Sequence, residues 1–221
     1  MKRITIYKKT NKKLILKVAP DTNLGIKKMD EYKNLSLEEL LKHTHDHASW
    51  YWLGIAYIAR RDFSNAAVWY EKTMDDPENK WAGKARFNLA QLHMCGLHPR
   101  ASKDEALRLF EKNLNGSMSN LYAGFLYHEG TETKHDPAKG KTLIEKAIEM
   151  LIKEDGNDNY LSQSECYDIG WVFYKENNGK AYKWFEKCIE RCNLNYASDC
   201  RLKDLANRNM EVLRRDGVKD I

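Results

Sequence analysis

The chain has 221 residues, of which 42% are hydrophobic and 31% charged, and its formal net charge is +5. These values are typical of one folded domain or a short array of repeats with a well-solvated surface. No apolar run reaches the roughly 18 residues that a membrane-spanning helix needs, so we expect no transmembrane helix. The basic start lacks an apolar h-region and a small-residue cleavage site, so we expect no secretory signal and a cytoplasmic location.

Residues 1–35 carry the net positive charge of the chain, with nine Lys and one Arg against three acidic residues, a net of +7. Apolar and polar positions alternate in ITIY and LILKV, on either side of KKTNKK. This alternation predicts a β-hairpin or a flexible arm. The charge fits either a solvated extension or a contact with an acidic partner, nucleic acid or anionic lipid.

A short helix is predicted directly after this extension. Ser36 and Glu39 have the spacing of a capping box, in which each residue satisfies a backbone amide of the other. We therefore expect a helix from Leu37 to about Lys42, and we expect it to cover the first of the repeated units described below.

Three alternating histidines come next: His43, His45 and His47. They suggest a metal site, but at this spacing all three share a face only on a β-strand, and Asp46 points elsewhere. Thr44 or Asp46 would make a good N-cap for a following helix, which favours a junction between two helices. Metal binding and a pH-sensitive contact remain as alternatives.

Four segments then repeat one pattern, over residues 50–77, 85–114, 120–151 and 165–192. A small residue recurs in the first half of each unit: Gly54, Ala90, Gly124 and Gly170. Another recurs in the second half: Ala66, Ala106, Gly140 and Ala181. Each half has the apolar spacing of an amphipathic helix, so each unit is a helical hairpin whose small residues let its two helices approach closely. One hairpin cannot bury its apolar face alone, but a stack of hairpins can.

The pattern changes after the third unit. Gly124 and Gly170 are 46 residues apart, against 36 and 34 for the earlier pairs. We expect the second helix of the third unit to run to about Glu154, with DGNDN forming a loop. The final segment, SDCRLKDLANRNMEVLRRDG, predicts a capping helix with a polar outer face.

The repeated residues resemble tetratricopeptide and Sel1-like repeats. The Leu53-Gly54 pair, Tyr70 and Pro77 follow the tetratricopeptide spacing, whereas the longer loops at Gly96 and Gly130 are typical of the Sel1-like branch. The resemblance implies an all-α fold, a right-handed α-solenoid of about four hairpins with a C-terminal capping helix. We accordingly divide the chain into an extension, residues 1–35, and a helical repeat domain, residues 36–217.

The resemblance also implies a surface for a protein or peptide partner, because the first helices of such hairpins line a concave face. On this basis we expect partner contacts from eight residues: Tyr51, Asn88, Gln91, Tyr122, Phe125, His128, Trp171 and Tyr174. The alternative for each residue is a place in the core between adjacent helices. Aromatic side chains with a few amides suit a peptide groove.

Five cysteines occur, and none forms a CxxC motif, which argues against a zinc ribbon. Cysteine-rich Sel1-like proteins join successive units by a disulfide at the spacing of Cys192 and Cys200. Only this pair matches that pattern, so the resemblance leaves open both a disulfide and a reduced pair.

The leading functional hypothesis is a non-enzymatic adaptor without a cofactor. The chain has no glycine-rich phosphate loop, no HExxH motif and no evident pair of nucleophile and base. The alternatives are an inhibitor or immunity-type protein that blocks a partner enzyme, and nucleic-acid binding through residues 1–35.

Overall fold

The computed structural model describes residues 32–76, 79–156, 159–174, 176–193 and 196–218. Within these ranges the chain forms ten α-helices and one short 3-10 helix, with no strand. The all-α prediction is therefore confirmed. The β-hairpin or arm was predicted for a region of which residues 1–31 lie outside the described residues.

The helices follow each other in pairs, as the repeated pattern predicts. Two short elements precede the first pair: α1 (Leu37–Leu40) and the 3-10 helix (Leu41–His43). We call them together the cap. The paired helices are α2 (His47–Ala59) and α3 (Phe63–Asp75), α4 (Ala82–Met94) and α5 (Lys103–Glu111), α6 (Ser117–Glu129) and α7 (Pro137–Asp155), and α8 (Gln163–Phe173) and α9 (Asn178–Arg191). The last helix is α10 (Ala197–Arg215).

The helices belong to two compact units. Unit 1 contains the chain up to Ser119 together with Thr131–Lys134, and unit 2 contains Asn120–Gly130 and the chain from His135 onwards. In unit 1, α3 packs against both α2 and α4, and α4 packs against α5. In unit 2, α9 packs against α8 and α10. Within each unit, helices that are neighbours in sequence are thus neighbours in space.

The cap helix α1 begins with the predicted capping box. The Ser36 amide donates to Glu39 Oε2 over 2.7 Å, and the Glu39 amide donates to Ser36 Oγ over 3.3 Å. Leu37 and Leu40 are buried and form a small apolar cluster with Leu53 of α2. The expectation that this short helix covers the first hairpin is confirmed.

Small residues allow the close packing of each hairpin. A Cβ atom added to Gly54 would lie 2.6 Å from Tyr70 Cδ1, and one added to Gly170 would lie 2.8 Å from Phe185 Cδ1. No real side chain tolerates such distances, so the glycines are required for the large rings of the second helices to fit. Tyr70 and Phe185 are consequently fully buried.

The predicted end of the second helix of the third unit and the predicted C-terminal capping helix are also confirmed. Helix α7 ends at Asp155, and Gly156 follows with φ of 70°, the left-handed conformation that commonly ends a helix. Helix α10 buries Leu202, Ala206 and Met210 while most of its charged residues stay exposed. This is the distribution expected of a helix that closes a stack.

The segment Thr131–Lys134 completes unit 1. The Glu132 carboxylate accepts hydrogen bonds from the amides of Lys103 and Asp104, at 3.1 Å and 2.8 Å. Those amides open helix α5 and have no partner inside the helix, so an acidic side chain there stabilises the helix start. The Thr131 hydroxyl also donates to Asp104.

Candidate partner-binding surface

The histidine stretch forms a helix junction. Asp46 is the N-cap of α2, with its Oδ1 accepting from the Ala48 amide at 2.9 Å, and its Oδ2 accepts from the Tyr32 hydroxyl at 2.6 Å. These two hydrogen bonds lower the pKa of Asp46, and the bond from Tyr32 has the larger effect. His47 stacks on Trp50, with ring centroids 4.1 Å apart. The prediction of an N-cap at Thr44 or Asp46 is confirmed, at Asp46.

In unit 1 the structure places the predicted contact residues in the core. Tyr51 is fully buried and stacks on Trp81, with centroids 5.0 Å apart and planes 6° apart. Asn88 is 2% exposed and its amide donates to the Tyr70 hydroxyl, and Gln91 is 4% exposed. A partner cannot reach these three side chains in this structure, so the core alternative applies to them.

Two predicted contact residues of unit 2 are also buried. The Tyr122 hydroxyl donates to Glu165 Oε1 over 2.5 Å, and the Tyr122 ring meets Phe125 edge-on. Tyr122 is 7% exposed and Phe125 is 6% exposed. Their rings pack inside the unit. His128 is half-buried and lies where α6 approaches α7 closely: a Cβ atom added to Gly140 would lie 2.7 Å from the His128 backbone nitrogen.

The remaining two, Trp171 and Tyr174, are half-buried. Their rings are stacked, with centroids 5.4 Å apart and planes 7° apart. Tyr167 is half-buried as well and lies one turn before Trp171 on α8, whereas Tyr174 is the C-cap that follows the last residue of that helix. We call Tyr167, Trp171 and Tyr174 the α8 aromatic row.

The row is held in place from two sides. Phe185 of α9 lies behind it, with its ring centroid 5.4 Å from that of Tyr167 and 6.4 Å from that of Tyr174. Asn209 of α10 donates its amide hydrogen to the Tyr167 hydroxyl over 3.2 Å. Asn209 was absent from the predicted contact set because α10 was interpreted only as a cap. Asn209 lies four residues after Leu205 and three before Val212, so the sequence already placed it on the same face of α10 as these apolar residues.

Four stretches of the chain match the family model of the Sel1 repeat: residues 45–73, 83–112, 117–150 and 159–190. Together they cover more than half of the chain, and each covers most of one of the four helical hairpins. The chain belongs to the Sel1 repeat family. No curated protein and no solved structure matches it. Sel1 repeats are generally protein–protein interaction modules, which fits a scaffold.

Burial raises the pKa of three of the five cysteine thiols. All five cysteines are free in the structure. Burial raises the pKa of Cys95 to about 11 and raises the pKa values of Cys188 and Cys192 above the usual range of a thiol. Since the thiolate is the reactive form, these side chains are poor nucleophiles at neutral pH. Cys192 and Cys200 are free thiols in this structure, and the choice between a disulfide and a reduced pair stays as the sequence left it.

The second Sel1 repeat contains a stacked pair of buried histidines, His93 and His98, with ring centroids 4.0 Å apart. The Arg100 amide donates to His98 Nδ1 over 3.0 Å, and His98 Nε2 lies 3.6 Å from a carboxylate oxygen of Glu71. Burial, and then the neighbouring His98, lowers the pKa of His93 to about 4. His93 is therefore neutral at physiological pH.

Among the described residues, no group of three or more His, Cys, Asp and Glu side chains is arranged to hold a metal ion. In the same part of the chain, no helix has the length and apolar character required to cross a bilayer.

Proposed function

We propose that this Sel1 repeat protein is a non-enzymatic scaffold that binds a peptide or partner domain through the α8 aromatic row. The observation that carries the proposal is the half-buried, stacked pair Trp171 and Tyr174, with Tyr167 one turn before Trp171 on α8. Aromatic side chains bury a large area and lose little conformational entropy on binding, because they have only two side-chain torsions. Such residues dominate the binding energy of many interfaces.

The support behind the row favours a preorganised surface. Phe185 fixes the rings of Tyr167 and Tyr174 from the core side, and Asn209 fixes the Tyr167 hydroxyl. A surface that is ordered before binding loses less entropy when the partner arrives. The buried members of the predicted contact set, such as Tyr122, then support the fold of their units rather than touch the partner.

The non-enzymatic part of the proposal rests on the chemistry of the described side chains. The thiols of Cys95, Cys188 and Cys192 have raised pKa values, which disfavours nucleophilic catalysis. His47 pairs with Asp76 over 2.5 Å, and its ring stacks on Trp50. A structural role at the helix junction accounts for this pair.

The test is affinity purification of the full chain with crosslinking and mass spectrometry, comparing the wild type with the double variant Trp171→Ala and Tyr174→Ala. We expect the double variant to keep its helical circular dichroism and lose the specific partner. The matched control is Tyr196→Ala, since Tyr196 is an aromatic of the same unit that is 55% exposed outside the row. Unchanged recovery by a folded double variant would overturn the proposal.

A further inference from the structure

Unit 1 contains a cavity of about 320 Å³ between the cap and the first helix of the first hairpin. One wall is formed by Leu35, Leu37 and Leu40, and the opposite wall by Trp52, Ile55 and Ala56. The spacing of Trp52, Ile55 and Ala56 places them on one stripe of α2. The cavity is thus an apolar slot between two helical elements.

The slot has the size and lining of a binding site for large side chains. Its volume lies at the lower end of the range of ligand pockets, which runs from about 300 to 1,000 Å³. Trp52, Ile55 and Ala56 are only half-buried, although Trp52 and Ala56 pack beside the apolar cluster of the cap. An apolar side chain inserted between the two walls would remove this surface from water, which is favourable.

Both charged residues that line the cavity, Lys33 and Arg60, are cationic. Arg60 pairs with Glu38 over 2.9 Å, but the two side chains are 50% and 70% exposed. An ion pair this exposed contributes little to stability, so Arg60 can exchange Glu38 for a carboxylate of a ligand at low cost. The cations therefore favour an acidic group beside the apolar slot.

We propose that this cavity docks an acidic amphipathic segment of a partner protein, with a Leu or Phe side chain in the slot and a neighbouring Asp or Glu against Arg60 and Lys33. The site is separate from the α8 aromatic row, which lies in unit 2, so the proposal goes beyond the function argued above. Apolar walls disfavour nucleic acid as the occupant, and the cationic lining disfavours a basic segment.

The probe is the peptide Glu-Glu-Leu-Phe-Glu-Glu-amide with fluorescein coupled to its N-terminal amine, titrated with the full chain and followed by fluorescence anisotropy. Two matched peptides replace either all Glu by Lys or the Leu-Phe pair by Ala-Ala. We expect the acidic apolar peptide to bind at least about tenfold tighter than both, which corresponds to about 1.4 kcal/mol. Equal binding of the three peptides, or no binding, would contradict the proposal.

Two variants locate the binding. Arg60→Glu reverses one of the two lining charges, so it should weaken the acidic peptide about tenfold and strengthen the basic one. Lys42→Glu is the matched control, since Lys42 is exposed on the neighbouring 3-10 helix and does not line the cavity. Ala56→Trp fills the slot and should abolish binding of the acidic peptide.

The same measurements separate other outcomes. Trp171→Ala should leave the affinity for the acidic peptide unchanged, so failure at one surface is distinguishable from failure at the other. Binding that survives both Arg60→Glu and Ala56→Trp in folded protein would place the peptide elsewhere and overturn the proposal. Self-association of the protein, measured by sedimentation at several concentrations, would also overturn the proposal if Ala56→Trp abolished it. A second copy of the chain would then be the occupant of the slot.

Discussion

The Tyr122 hydroxyl donates a hydrogen bond of 2.5 Å to Glu165, and this bond ties helix α6 to the start of helix α8 within unit 2. Glu165 is only 3% exposed. Its other carboxylate oxygen accepts from the amide and the hydroxyl of Ser162, in the capping box of α8. One acidic side chain thus both caps a helix and binds a tyrosine from another helix.

Replacing Tyr122 by Phe should destabilise unit 2, because Glu165 Oε1 then loses the hydrogen bond from the Tyr122 hydroxyl. We expect a loss of about 1.5 to 3 kcal/mol in the free energy of unfolding, the usual contribution of a hydrogen bond to a charged group. Urea unfolding followed by circular dichroism measures it. Tyr196→Phe, at an exposed tyrosine of the same unit, should change the midpoint little. A midpoint for Tyr122→Phe equal to that of this control would refute the prediction.

Gly124→Ala should also destabilise unit 2. The added Cβ would lie 2.6 Å from Ile144 Cγ1 and 2.7 Å from the Gly140 carbonyl oxygen, so a backbone would have to move. Overpacking of this kind costs about 1 to 3 kcal/mol. Gly116→Ala is the control, because its nearest neighbour would be the Asn113 carbonyl oxygen at an ordinary 3.6 Å. Thermal unfolding compares the two variants, and equal melting temperatures would count against the packing argument.

The stacked histidines predict a pH dependence of stability. Burial and then His98 lower the pKa of His93 from 6.5 to about 4, while the nearby Glu105 opposes the shift. Because the folded protein binds this proton less readily than the unfolded chain, stability is fully present above pH 6.5 and falls as the pH drops towards 4. The loss should be roughly 1 to 3 kcal/mol.

The check is a series of urea unfolding curves, measured between about pH 7.5 and about pH 4.5, for the wild type, His93→Leu and His45→Gln. His93→Leu should flatten the dependence because the titrating group is gone. His45 is exposed, so His45→Gln should keep the slope of the wild type. If all three proteins showed one slope, carboxylates elsewhere would be responsible.

Glu132→Gln should weaken the start of α5 in unit 1. Hydrogen bonds from its own amide and from the amides of Lys103 and Asp104 lower the pKa of Glu132. The neutral amide of Gln is a weaker partner for a helix N-terminus, and the site is exposed, so we expect a loss between a few tenths and about 1 kcal/mol. Amide hydrogen exchange at Lys103 and Asp104 should accelerate. Glu186→Gln, at an exposed position of unit 2, should leave those two amides unchanged.

The sequence was sufficient to predict the helices and their pairing because each depends on local rules. Gly54, Gly124 and Gly170 recur at the position where a second helix must approach, and the structure shows that contact at each of them. The capping residues Ser36 and Asp46 were identifiable because an N-cap needs a short side chain that accepts from the next turn.

The exposure of individual side chains was harder to predict. Periodicity identifies the face of a helix on which Tyr51 lies, but not whether another element covers that face. Trp81, from the segment before α4, stacks on Tyr51, and Glu165 accepts from Tyr122 across 43 residues. Both contacts join residues far apart in sequence, so helix geometry alone left the choice between groove and core open.

The segment Thr131–Lys134 follows helix α6 in the chain, yet it belongs to unit 1 and supplies Glu132 to α5. The third Sel1 repeat, residues 117–150, therefore contributes residues to the unit that precedes it. During synthesis from the N-terminus, α5 cannot gain this cap until residue 132 has left the ribosome. For the same reason, deletion of this repeat during evolution would also remove a helix cap from its predecessor, so the repeats are not interchangeable modules.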